Sequence, residues 1–265
     1  MYSPFDIADN YISIGQKKVR MPVMKMLVLS IFAGMFIALA SMGATAAAST
    51  IENASVAKLI SACIFPSGLA MALIAGSELF TGNCLLIIPL LQKEIRITEV
   101  IRNLCFVYIG NFIGSMLIAT LAVYGHAFSL FGNDFASATV AIAEAKISMS
   151  FTDALIRGIL CNILVCISVW MAYSSKTTGG KIAALFFPVM LFVLLGFEHS
   201  VANMYYIPAG IMCSYEYGIT TGSLDWGSFF TCNLIPVTIG NIIGGAVIGF
   251  GYWFVYLNIS KKISK

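Results

Sequence analysis

Two polar clusters interrupt apolar segments of this sequence: GSELFTGN at 76–83 and GFEHSVANMYYIP at 196–208. Each carries a glutamate, Glu78 or Glu198, where the surrounding composition is that of a bilayer interior. A charge in hydrocarbon costs roughly 2.5–3.5 kcal/mol even on lenient insertion scales, so such a residue needs partners or water and commonly marks a pathway. The second cluster also holds His199, one of only two histidines, and the first holds Thr81. A hydroxyl and an imidazole together offer donors to a small anion stripped of its water, and histidine can give up a proton near neutral pH. Glu78 and Glu198 are expected to act as structural supports, accepting orphaned backbone N–H groups or orienting His199. Asn83 and Asn203, at the ends of the clusters, are assigned similar work.

Other residues supply a field and a filter. Lys146 stands in AEAKISMSF, and Asn162 follows on the next apolar segment. Together they would bring positive potential and a hydrogen bond toward a pore, lowering the barrier for an anion and favouring deprotonation of a bound weak acid. Phe65, Leu69, Leu79, Phe80 and Phe192 flank the clusters. Large apolar side chains at such places can form constrictions that shut out hydrated ions.

The elements that must position these residues are membrane spans. The chain has 265 residues, of which 59% are hydrophobic and 10% charged. A soluble domain is nearer a quarter charged. Crossing the hydrocarbon takes about 20 mostly apolar residues. Six such stretches are expected, at about 26–48, 58–91, 104–125, 152–173, 182–208 and 229–257. Twelve of the fifteen basic residues fall on one side of them: Lys17, Lys18, Arg20, Lys25, Lys93, Arg96, Arg102, Lys176, Lys181, Lys261, Lys262 and Lys265. Lys58, Lys146 and Arg157 go to the other. The positive-inside rule then puts both termini in the cytoplasm, as for an inner-membrane protein. The leader around Phe5, Ala8 and Ile12 has helical spacing and is expected either to lie along the interface or to form a partly ordered tail.

The chain repeats itself. NLCFVYIGNFIGS (103–115) and NLIPVTIGNIIGG (233–245) share eight identities at an offset of 130. At an offset of 120, Gly, Glu and Asn of 76–83 recur in 196–203. Two matches in order, three spans apart, imply two copies of a three-span unit, about 26–125 and 152–257, within a single transmembrane domain spanning 1–265. An odd number of crossings turns the second copy upside down, a plan common in transport proteins. Spans two and five are over-long and contain Gly, polar residues and Pro66, Pro89, Pro188 and Pro208, so each is expected to be a broken helix. Irregular backbone at that depth is tolerated only when buried in protein or lining a cavity. The fold class expected is an all-α membrane protein of six transmembrane helices with two breaks meeting near the midplane.

ELFTGN, RGILCNILVCISVW and GFEHSVANMYYIP resemble the signatures of the formate/nitrite transporter family, over nearly the whole chain and most closely its hydrosulfide-channel branch. The resemblance implies an aquaporin-like fold and a homopentamer with one pore per subunit. It also implies a central site at Thr81 and His199, and a vestibule shaped by Lys146 and Asn162. Phe65, Leu69 and Phe192 would form one hydrophobic slit, and Leu79, Phe80 and Val165 the other.

The function expected is a channel or transporter for a small monovalent weak-acid anion (formate, nitrite or hydrosulfide), with His199 lending a proton in transit. The alternative is an aquaporin-like path for neutral solutes. An intramembrane hydrolase is disfavoured, because no Ser-His-Asp order, metal-ligand cluster or nucleophile elbow is present. Seven cysteines without CxxC spacing fit neither a disulfide framework nor a zinc site and are expected to be small buried core residues. Neither a cofactor nor a nucleic-acid partner is expected; the partners are the anion, the lipid membrane and sister subunits.

Overall fold

A computed structural model describes residues 1–259, and among these the chain is helical without strands. Ten helices follow in order, with a short 3-10 segment at Ala127–Asn133 between the fifth and sixth: α1 Pro4–Val19, α2 Val23–Ala48, α3 Ala54–Ile74, α4 Phe80–Leu91, α5 Ile97–Tyr124, α6 Asp134–Ile147, α7 Phe151–Ser174, α8 Thr178–Leu194, α9 Ser200–Glu216 and α10 Trp226–Ile259. α2, α3, α5, α7 and α10 are long and apolar enough to cross a membrane, whereas α4 and α8 are shorter apolar helices. This is a multi-pass membrane protein. Lys261, Lys262 and Lys265 lie outside the described residues.

Polar residues set where several helices begin. Ser3, Asn53, Ser150 and Thr177 each cap α1, α3, α7 or α8 by accepting from a backbone N–H of the first turn. Such caps serve donors that a helix start otherwise leaves unpaired. The long helices pack in two matching pairs, α2 along α5 and α7 along α10. Gly114 presses on the Ile31 backbone in the first pair and Gly244 on the Ile159 backbone in the second, where any Cβ would overlap. In lipid there is no hydrophobic force between helices, so such close approach supplies dispersion contacts in its place.

Both expected breaks are present, with the same construction. α3 ends at Ala75, Gly76 takes φ 81°, and the Ser77 N–H reaches back to the Ala72 carbonyl at 2.8 Å. α8 ends at Leu195, Gly196 takes φ 69°, and the Phe197 N–H reaches back to the Phe192 carbonyl at 3.0 Å. These are glycine-terminated helix ends in which the left-handed residue costs no Cβ strain. Leu79 and His199 are then extended, and α4 and α9 start anew.

Two expectations need correction. The fifth stretch does not end at 208: α9 continues to Glu216 because Pro208 sits inside it without breaking it. The leader is not a partly ordered tail: it forms the helix that its spacing predicts, α1, with Ile7, Ala8, Tyr11, Gly15 and Val19 buried against the bundle. A further helix not counted among the spans carries Lys146 in its last turn: α6 stands before α7 as α1 stands before α2.

Candidate functional site

The extended residues bring the two clusters together. The Thr81 hydroxyl and His199 Nε2 are 2.9 Å apart, both buried. The other ring nitrogen, Nδ1, accepts from the Ala202 N–H at 3.1 Å and so caps α9. An acceptor at Nδ1 leaves the proton of neutral imidazole on Nε2, which therefore donates to Thr81 Oγ1. Thr81 keeps its own hydroxyl proton to offer elsewhere. A proton on Nδ1 would face the Ala202 N–H donor to donor, so the geometry favours His199 as a neutral donor rather than a proton carrier. The N-termini of α4 and α9 converge here, and helix N-termini carry partial positive charge.

Each half surrounds its break with the same set of side chains. The Asn111 carboxamide oxygen accepts from the Phe80 N–H at 2.9 Å, and its nitrogen donates to the carbonyls of Ser30 and Glu78. Asn241 repeats this, accepting from the Ser200 N–H at 2.9 Å and donating to the carbonyls of Gly158 and Glu198. The carboxylates do something else. Glu78 takes Lys18 Nζ at 2.7 Å and Asn83 Nδ2 at 2.7 Å, while Asn83 also donates to Asn103. Glu198 takes Lys146 Nζ at 2.8 Å and Asn203 Nδ2 at 2.7 Å, while Asn203 also donates to Asn233. Asn103 donates to the Lys18 carbonyl and Asn233 to the Lys146 carbonyl, closing each cluster.

The carboxylates thus neither accept backbone N–H groups nor touch His199, which corrects the expectation. Backbone satisfaction falls to Asn111 and Asn241, and each glutamate is held by a lysine and an asparagine. Lys18, Asn103, Asn111, Asn233 and Asn241 were not singled out as site residues from sequence. The asparagines were visible there, since Asn103/Asn233 and Asn111/Asn241 are two of the eight identities at the 130-residue offset.

Three cavities lie in file past His199. At the Lys146 end, one of about 110 Å³ is lined by Lys58, Lys146, Phe65, Phe192, Glu198 and His199 among others. The central one, about 10 Å³ and so only water-sized, is bounded by Phe65, Leu69, Leu79, Val165, Phe192 and His199 with Ile37 and Val189. At the Lys18 end, one of about 30 Å³ meets Tyr11, Lys18, Leu69, Leu79 and Asn83 among others. The rings of Phe65 and Phe192 stand edge to face at 5.5 Å between the first two cavities. Leu69 and Leu79 stand between the last two.

Several sequence assignments shift accordingly. Leu69 borders the central cavity together with Phe65 and Phe192, as expected, and also stands with Leu79 toward the Lys18 end. Phe80 lines none of the three cavities; its ring packs on Tyr108 at 4.8 Å and faces a lateral apolar groove. The backbone explains this, because Phe80 follows extended Leu79 and so points to the opposite side. Asn162 is not beside Lys146: it donates to the carbonyls of Thr81 and Asn241. Lys58 lines the cavity at the Lys146 end and makes no ion pair or side-chain hydrogen bond among the described residues. Among the cysteines, Cys63 and Cys105 are exposed rather than buried, and all seven are free.

The sequence profile of the formate/nitrite transporter family matches residues 5–255. The chain belongs to that family. It is 39% identical to an uncharacterized transporter, YrhG, of Bacillus subtilis, covering 96% of this chain and 93% of that protein. It is 36% identical to the formate channel BtFdhC of Bacillus thuringiensis, with 96% of each chain covered. Among solved structures, a pentameric formate channel with formate bound superposes with a TM-score of 0.79 at 33% identity, covering 89% of this chain and 98% of that one. The family groups transporters and channels rather than enzymes.

Proposed function

We propose that this protein is a channel for small monovalent weak-acid anions, with formate the leading substrate. One observation carries the reading: the His199 Nε2–H and the Thr81 hydroxyl meet at 2.9 Å where two half-helix N-termini converge, with a cavity on either side. Donors and dipoles fixed in place offset part of the desolvation cost of a bare anion. The formate names of the relatives move the choice toward formate and away from the hydrosulfide branch.

The anion would leave water beside Lys146 or Lys18, pass the Phe65–Phe192 or Leu69–Leu79 pair, and accept from Thr81 and His199 between them. Asn162 acts through Thr81 by holding its carbonyl. The two three-span copies would be inverted about the central site in one aquaporin-like domain of six crossings, if each broken helix counts as one. The matched clusters extend each copy to include α1 and α6. A homopentamer with one pore per subunit and cytoplasmic termini, in the inner membrane, completes the proposal.

Flux in proteoliposomes tests it, with formate, nitrite, hydrosulfide and glycerol presented at two pH values. Saturable formate flux without glycerol flux is expected. Glycerol flux without anion flux would replace the reading with a neutral-solute path.

A further inference from the structure

Where α1 turns into α2, a cavity of about 570 Å³ is lined by Ser13, Gln16, Lys17, Arg20, Met21 and Lys25, with Pro22 at the elbow. We propose that this pocket binds the phosphate headgroup of an anionic phospholipid and thereby holds α1 in its docked position.

Lys17, Arg20 and Lys25 are exposed and form no ion pair or side-chain hydrogen bond among the described residues. Their neighbour Lys18 points the other way and is taken by Glu78 at 2.7 Å. The carboxylates near the pocket leave its cations free: Glu94 is held by Gln16 Nε2 at 3.0 Å, and Asp9, one turn before Ser13, pairs with none of them. Three cations thus converge on one cavity, and no carboxylate among the described residues pairs with them. Basic pockets of this kind at a membrane surface suit anionic headgroups.

The same face continues as a surface for acyl chains. Met24, Val28 and Phe32 of α2 are 69%, 43% and 44% exposed, spaced four residues apart so that they stack on one side of the helix. From Met24 to Phe32 is about 12 Å along the axis, close to the ~15 Å of one hydrocarbon leaflet. A free phosphate ion would use the cations and leave this stripe without purpose, whereas a lipid uses both.

The consequence is positional. One face of α1 meets the pocket; its opposite face presents Tyr11 and Lys18 to the cavity at that end of the file. A headgroup bridging Lys17 and Arg20 of α1 to Lys25 of α2 would fasten the elbow and so fix both residues.

Native mass spectrometry tests the site, with purified protein titrated by phosphatidylglycerol or by phosphatidylcholine of matched chains. A preference for phosphatidylglycerol of about tenfold or more is expected. It should collapse in Lys17→Gln/Arg20→Gln/Lys25→Gln and persist in Lys181→Gln at the same end of the molecule. Lys25→Gln alone, which leaves α1 untouched, should weaken phosphatidylglycerol binding about fivefold and serves if the triple variant fails to fold. Phosphatidylglycerol, and not phosphatidylcholine, should protect α1 from limited proteolysis. Equal binding of the two lipids overturns the proposal, as does an equal loss in Lys181→Gln. Displacement of the lipid by millimolar inorganic phosphate would make this a phosphate site and overturn the lipid assignment. Loss of subunit assembly in the triple variant would make it a subunit contact and overturn it equally.

Discussion

The two halves of the molecule build the same scaffold and place different chemistry on it. Lys18, Glu78, Asn83 and Asn103 correspond to Lys146, Glu198, Asn203 and Asn233 in their main bonds, with two additions in the second half: Lys146 reaches both Glu198 oxygens and Asn233 also donates to Glu198. Yet where one half has Leu79 as the residue before its half-helix, the other has His199, and where one has Thr81 the other has Val201. The shared Asn111 and Asn241 hold the backbone of each break, while the unshared Leu79 and His199 both border the central cavity. Divergence is not confined to side chains without backbone work: His199, which replaces Leu79, also accepts the Ala202 N–H and caps its half-helix.

The comparison breaks most visibly at the glutamates. Removing one partner of a buried ion pair costs about 3–5 kcal/mol, since the other charge is left uncompensated. Glu198→Ala strands Lys146 on α6 and should lower the thermal unfolding midpoint in detergent sharply. Glu78→Ala strands Lys18 near the end of α1, which can swing it to water, so its loss should be smaller. Equal losses would mean that α1 is as fixed as α6.

Next come the two unshared donors. His199→Leu makes the second half resemble the first and should abolish formate flux in liposomes. Thr81→Val, which copies Val201, should lower it about tenfold, the worth of one hydrogen bond to a charged group. Wild-type flux in either variant would remove the central donor pair from the mechanism. Since Nδ1 caps α9, the pH profile should keep its shape in Thr81→Val; a shifted profile there would restore the proton-loan role for His199.

A smaller effect is expected from Lys58, unpaired at the Lys146 end where the opposite end has Thr178 at the same offset. A unit charge about 8 Å from the path in water changes local anion concentration roughly twofold. Lys58→Gln should therefore lower flux about twofold at low ionic strength and leave it unchanged at high salt. A salt-independent loss would mark Lys58 as structural. Smallest of all should be Phe80→Ala: its ring faces the lateral groove, so discrimination among anions by size should match wild type. Phe192→Ala, which opens the Phe65 pair, should relax it. A relaxed filter in Phe80→Ala would return that residue to the path.

Much of this could be read before any coordinates. Glu and Asn recurring at a fixed offset located both breaks, because a buried carboxylate is expensive wherever it occurs. The over-long spans with internal glycine and proline located the broken helices for the same reason: hydrocarbon forbids loose backbone. Less legible was who satisfies whom. The carboxylates were matched with nearby N–H groups, but their partners, Lys18 and Lys146, come from helices 60 and 52 residues away in the chain.

What the sequence by itself determined was the membrane, the helices and the internal repeat, which rest on composition and spacing along the chain, with the family carried separately by the resemblance of three motifs to its signatures. Tertiary structure alone decided the direction of each side chain and the partner of each charge. It turned Phe80 away from the path while leaving Leu79 on it, set Leu69 against Leu79 as well as the phenylalanine pair, and placed Asn162 on the Thr81 carbonyl instead of beside Lys146. Periodicity cannot supply these facts, because an extended residue at a helix break resets the face on which every following side chain lies.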